Sequence, residues 1–107
     1  NSINWARIVA LYGELAEQAP SPVVELNRAV AVSMAEGPQV ALALVDELMA
    51  AEPGFGRYYL LHAVRGDLLE RLGRGGEAGA AFRLAASLTG NARERELLEA
   101  RAKVAAH

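Results

Sequence analysis

The chain is 107 residues long, with 52% apolar residues, 6% aromatics and no cysteine. Eleven basic side chains oppose thirteen acidic ones, a net charge of −2, so no global positive field draws it onto a phosphate backbone and direct nucleic-acid binding is not expected. The absence of cysteine removes disulfides, thiolate metal sites and thiol nucleophiles together and matches a reducing compartment, so a cytoplasmic location is expected.

Ala, Leu, Val, Glu and Arg dominate, the composition of packed helices rather than of a disordered tail. Charges at Glu25, Arg28, Asp46 and Arg65 break the apolar stretches well short of a bilayer span, so the chain is expected to be soluble with no membrane partner. The length suits one domain. It opens on Asn1 with a helical pattern almost at once, which reads as a fragment of a longer protein.

Pro and Gly divide the chain into six helical segments. The first runs from about Ile3 to Gln18, with Trp5, Ile8, Val9, Tyr12 and Leu15 inward, and stops before Pro20. The second takes Ser21 as N-cap and Pro22 at its first position, where the missing N–H costs nothing, and ends near Glu36 at Gly37. Pro38 opens the third, with Ala41, Leu44, Val45 and Leu48 inward, and Pro53 and Gly54 end it. The fourth spans about Arg57 to Leu72. A loop over Gly73, Arg74, Gly75 and Gly76 separates it from a fifth that continues to Leu88. The sixth begins with Asn91 as N-cap and Glu94 three residues on, the spacing of a capping box, and runs to about Ala106. Loops this short force antiparallel neighbours, hence helical hairpins.

A spacing recurs along these hairpins. Ile8, Tyr12, Leu15 and Pro20 form one set, Ala41, Val45, Leu48 and Pro53 a second, Ala78, Phe82, Ala85 and Gly90 a third, at intervals of 33 and 37 residues. The interval straddles the 34 residues of a tetratricopeptide repeat, whose inward face alternates small and large residues so that paired helices approach closely. Ala29 and Gly66 occupy the matching small position of the preceding helices. The fold expected is all-α: tetratricopeptide-like antiparallel hairpins stacked as a short right-handed solenoid of about six helices. One domain over residues 1–107 then comprises a half repeat (3–20), two repeats (22–53 and 57–90) and a terminal helix (91–106).

No arrangement for bond chemistry emerges. The Gly73, Gly75, Ala78 string has the spacing of a dinucleotide loop, but a helix precedes it where that motif needs a strand. The stretch Gly54-Phe55-Gly56 is a connector. His62 and His107 are the only histidines, too few ligands for a metal, and Ser2, Ser21, Ser33 and Ser87 have no histidine at helical spacing to activate them. The alternating charges from Arg93 to Lys103 read as a solvated face with Glu99 and Lys103 paired across one turn. No enzyme activity, cofactor or metal is expected.

One polar island stands out: Asn27, Arg28, His62 and Arg65, with Arg28 and Arg65 37 residues apart at the same repeat position. It is read either as a hydrogen-bonded network that fixes repeat packing or as a surface that grips a partner's carboxylates or carbonyls.

The run from Trp5 through Leu11-Tyr12, then Pro20-Ser21-Pro22-Val23-Val24, Leu26-Asn27-Arg28-Ala29-Val30-Ala31-Val32 and later Tyr58-Tyr59-Leu60-Leu61-His62-Ala63 resembles the C-terminal tetratricopeptide-like extension of a group of bacterial extracytoplasmic-function (ECF, sigma-70 type) RNA polymerase sigma factors. The resemblance covers nearly the whole chain and departs from the family at Thr89-Gly90, where a Pro is common. It implies a protein-interaction and transcription-regulatory module whose partners are the factor's own sigma domains or RNA polymerase, with no catalytic residue. A free-standing adaptor that binds an unrelated peptide in a groove is the alternative.

Overall fold

A computed structural model of the chain describes residues 3–106, so Ser2 and His107, weighed above, lie outside the described residues. Every regular element among them is helical: α1 (Trp5–Gln18), α2 (Pro22–Glu36), α3 (Pro38–Ala51), α4 (Tyr59–Arg71), α5 (Gly75–Leu88) and α6 (Ala92–Ala105), with a 3-10 turn over Pro53–Arg57. The helical class and the count of six therefore follow the sequence reading. The chain divides into two compact units, Asn1–Glu52 and Pro53–His107.

In the first unit α2 packs against both α1 and α3. Its start is set locally. The Ser21 hydroxyl accepts the Val23 N–H at 3.2 Å and Pro22 fills the first position with its fixed φ. Its end is equally local, because Gly37 turns the chain with its N–H on Ser33 O and Pro38 opens α3. The core of this unit is Leu26, Ala29, Val32, Ala41, Leu42 and Val45, all almost wholly enclosed. Each such leucine or valine contributes about 1.5–3 kcal/mol relative to its exposed state.

The second unit centres on α5, which packs against α4 and α6. Leu61, Leu68, Leu69, Ala78, Phe82 and Ala85 are almost fully enclosed, and Leu98 and Ala102 bring α6 onto them. Two glycines of α5 permit that approach: a Cβ on Gly75 would strike the Ala105 carbonyl, and one on Gly79 would lie 3.2 Å from the Ala102 carbonyl oxygen. At the start of α6 the Asn91 side chain accepts the Glu94 N–H at 2.9 Å, as the capping spacing predicts.

Several local expectations are corrected. The first helix begins at Trp5, because the Asn4 side chain accepts the Arg7 N–H and caps it there. Leu15 is 43% exposed rather than inward, α1 having one neighbour helix to pack on within its unit. Gly75 and Gly76 belong to α5 instead of the loop before it, the Ala78 N–H bonding back to the Arg74 carbonyl at 2.9 Å to open the first turn. The segment from Pro53 to Arg57 is a 3-10 turn, and α4 starts at Tyr59. The Glu99–Lys103 ion pair does not form among the described residues; two exposed flexible side chains gain too little from it to stay together.

Candidate functional site

The near-neutral total conceals an uneven distribution of charge. The first unit holds two arginines against seven carboxylates, and the second holds nine basic side chains against six acidic ones. A deficit of five positive charges over one small unit gives its surface a negative field.

That field is concentrated around α2. A cleft of about 590 Å³ opens between the start of α2 and the end of α3, walled by Pro20, Ser21, Pro22, Glu25, Arg28, Leu44, Glu47, Leu48, Ala51 and Glu52. A shallower one of about 420 Å³ lies on the other side of α2 against α1, walled by Ala10, Gly13, Glu14, Ala16, Glu17 and the same Glu25 and Arg28. Glu25 and Arg28, one turn apart on α2, are thus the ridge common to both. The larger cleft is within the size of ordinary ligand sites, about 300–1,000 Å³.

Arg28 is unusual in how it is held. Its side chain passes Gly13, whose Cβ, if present, would lie 3.9 Å from the guanidinium Nε. That Nε is buried, and no hydrogen-bond partner for it exists among the described residues. Five carboxylates line the two clefts, yet none comes within ion-pair distance of Arg28. A buried donor without an acceptor costs about 1–3 kcal/mol, which marks Arg28 as a side chain the fold does not fully satisfy. Asn27, the neighbouring sequence candidate, is exposed on α2 and does not line either cleft.

The other two candidates belong to the second unit and have structural partners there. His62 is 6% exposed and its Nε2–H donates to the Gly56 carbonyl at 2.7 Å, which fixes the tautomer with the proton on Nε2 and ties α4 to the 3-10 turn before it. Arg65 is half-buried and lies close enough to Glu77 of α5 to draw on it. The Glu77 carboxyl sits below its ordinary value because Arg74 donates two hydrogen bonds of 2.7 Å to it, an effect that burial opposes and the charges of Arg74 and Arg65 reinforce.

Two further clusters of this unit were not legible beforehand. Tyr59 donates to Glu94 Oε2 at 2.6 Å and Thr89 donates to Glu94 Oε1 at 3.2 Å, so the side chain expected to close a capping box instead joins α4 to α6, and Asn91 N–H turns to the Thr89 hydroxyl. The bond to Glu94, with burial and the Glu94 charge adding to it, pushes the Tyr59 phenol up to about 12. Arg101 of α6 lies 4.4 Å above the Phe82 ring and donates to Asp67 at 3.2 Å and Glu70 at 2.7 Å. These are side chains that join helices.

No cluster of three or more His, Asp or Glu able to hold a metal exists among the described residues. None of their helices is long and apolar enough to cross a membrane. The cleft beside Arg28 combines acidic walls, apolar side chains from Leu44 and Leu48, and one guanidinium.

The chain is 50% identical over 91 residues to an uncharacterized protein of Rhizobium meliloti (strain 1021). The match covers 85% of this chain and 21% of that relative, so the chain spans about a fifth of the length of the curated protein it matches. No family model matches the chain, and no solved structure matches it.

Proposed function

We propose that the chain is a protein-docking and regulatory module of a bacterial ECF-type RNA polymerase sigma factor, setting transcription initiation through contacts with the sigma domains or with RNA polymerase. One observation carries the reading. The string Pro20-Ser21-Pro22-Val23-Val24-Glu25-Leu26-Asn27-Arg28, the most specific part of the resemblance, supplies Pro20, Ser21, Pro22, Glu25 and Arg28 to the wall of the larger cleft. Leu26 and Ala29, between and beside them, are spent on the core. A segment that gives Leu26 to the core and five of its other residues to the wall of a cleft is arranged for recognition.

The helices are read as tetratricopeptide-like hairpins. In both units the small position of the repeat, Ala29 and Gly66, is buried, and so are the spaced residues Ala41 and Val45 in one and Ala78, Phe82 and Ala85 in the other. A module of this kind works in the cytoplasm as part of a longer factor, in keeping with its span of 21% of the Rhizobium meliloti relative. It binds and positions, with no catalytic group of its own.

The test is promoter-dependent transcription by core RNA polymerase with the longer factor, comparing the intact protein with Arg28→Ala and Leu44→Glu. Transcript yield is expected to change severalfold in either variant while polymerase binding by the factor's other domains persists. Unchanged transcription in both variants, or a parent protein that does not associate with polymerase, overturns the reading; capture of an unrelated peptide by the intact cleft in the second case points to a free-standing adaptor.

A further inference from the structure

The chemistry of the same cleft narrows what it docks, on the reading that it is a docking site. We infer that the α2–α3 cleft takes a basic, extended peptide segment, with lysine or arginine side chains paired to Glu25, Glu47 and Glu52 and a main-chain carbonyl accepting from Arg28.

The inference follows from two demands that no single simple ligand meets. The walls present three carboxylates against one guanidinium, and Glu14 and Glu17 of α1 line the neighbouring cleft that shares Arg28, so a carboxylate or phosphate brought to Arg28 is opposed by the surrounding negative charge. A bare cation satisfies the carboxylates and is opposed by the charge of Arg28 on the same wall, whose guanidinium termini can donate to a neutral acceptor. An extended basic segment meets both, since its backbone offers neutral carbonyl acceptors while its side chains carry positive charge outward. Leu44, Leu48 and Ala51 provide the apolar floor on which the aliphatic stems of those side chains can lie. The Pro20-Ser21-Pro22 turn forms a wall with few free donors of its own, because both prolines lack an N–H.

Binding is measured by fluorescence anisotropy of the intact chain against three labelled short peptides: a lysine- and arginine-rich one, its counterpart with glutamate at every basic position, and a neutral serine-alanine one. The basic peptide is expected to bind, weakening steeply with salt, and the acidic one is not. Glu25→Gln is expected to weaken binding about tenfold, whereas Glu36→Gln, the same charge change at the far end of α2, leaves it within twofold. The two positions are separated by eleven residues, about 16 Å along the helix and beyond the screening length of about 8 Å at physiological salt. Arg28→Met is expected to weaken binding severalfold without changing the preference for basic peptides, and circular dichroism confirms that each variant is folded.

Equal losses from Glu25→Gln and Glu36→Gln reduce the effect to diffuse surface charge and overturn the inference, as does preference for the acidic peptide or no binding of the basic one. If the basic peptide fails to bind but Arg28→Ala still alters promoter-dependent transcription, the docking role stands and this partner chemistry falls. If the peptide binds and transcription is indifferent, the cleft has its ligand and the sigma-factor role falls.

Discussion

A Cβ placed on Gly66 would lie 2.8 Å from Cε1 of Phe82 and 2.9 Å from its Cδ1, so α4 meets α5 at a point where one helix has no side chain and the other has its largest. Phe82 has no free direction in which to move. It is wholly buried, and the Arg101 guanidinium rests 4.4 Å above its ring, itself tied to Asp67 and Glu70.

Gly66→Ala therefore sets two effects in opposition. Alanine in mid-helix is favoured over glycine by about 1 kcal/mol, while forcing a methyl against an immovable ring costs about 1–3 kcal/mol. The clash wins, and a net loss of about 1 kcal/mol with a fall of several degrees in melting temperature is expected. Combining Gly66→Ala with Phe82→Leu should cost less than the two changes added together, and additive losses in a thermal double-mutant cycle would show that the two residues do not share this contact.

Stability should also respond to alkali through Tyr59. Its phenol is raised to about 12 from an ordinary 10, so the protonated form is favoured by the folded state. The contribution is fully present below pH 10, where both states hold the proton, and is lost as pH rises through 12, because the folded state must then surrender a proton that the unfolded state has already released. Tyr59→Phe removes the donor to Glu94, is expected to cost about 1–2 kcal/mol at neutral pH, and should flatten the decline between pH 10 and 12. Denaturant midpoints measured across that range for both proteins check it; identical slopes would rule out the Tyr59–Glu94 bond as the source.

His62 and Arg65 separate by what each change disturbs. His62→Leu leaves the Gly56 carbonyl without its donor and is expected to cost about 1–3 kcal/mol, partly restored by His62→Gln, whose amide can donate to the same oxygen. Arg65→Leu acts elsewhere, on Glu77: its carboxyl midpoint should move up, by less than in Arg74→Gln, because the Arg74 hydrogen bonds lead and the Arg65 charge adds least. Carboxyl NMR titration of the three proteins gives the order, and a larger movement in Arg65→Leu would reverse the assignment.

The helices were legible because their ends are written in local chemistry. Ser21-Pro22, Gly37-Pro38 and the Asn91 cap each settle a boundary within a few residues of chain, with no need of a partner. Gly75 lies in α5 where a remote contact requires glycine: the backbone at Ala105 approaches a face that only glycine leaves clear, which no neighbour in sequence announces. Glu94 shows the same divide, since its N–H obeys the capping rule while its carboxylate is drawn off by Tyr59, 35 residues earlier. The polar island was half legible. Composition and spacing singled out Arg28 and His62, but His62 finds the Gly56 carbonyl inside the fold while the Arg28 Nε is enclosed beside Gly13 with no acceptor, a difference neither residue's own sequence neighbours announce.

Arg28 yields the last prediction, in which stability and recognition move apart. A guanidinium whose Nε is enclosed without an acceptor contributes no hydrogen bond from that atom to the folded state, while its removal from water carries a cost. Methionine keeps the length and the apolar stem that passes Gly13 and sheds the unpaired donor. Arg28→Met is accordingly expected to leave the melting temperature unchanged or to raise it by up to a few degrees, even as it removes the guanidinium that docking is proposed to use. A local rule broken beside a cleft, and mended by a substitution that weakens binding, is the signature of a residue kept for recognition. A fall of more than about 1 kcal/mol in Arg28→Met, measured by denaturant unfolding, would mean that the guanidinium holds the helices together, and its place at the cleft would then be incidental.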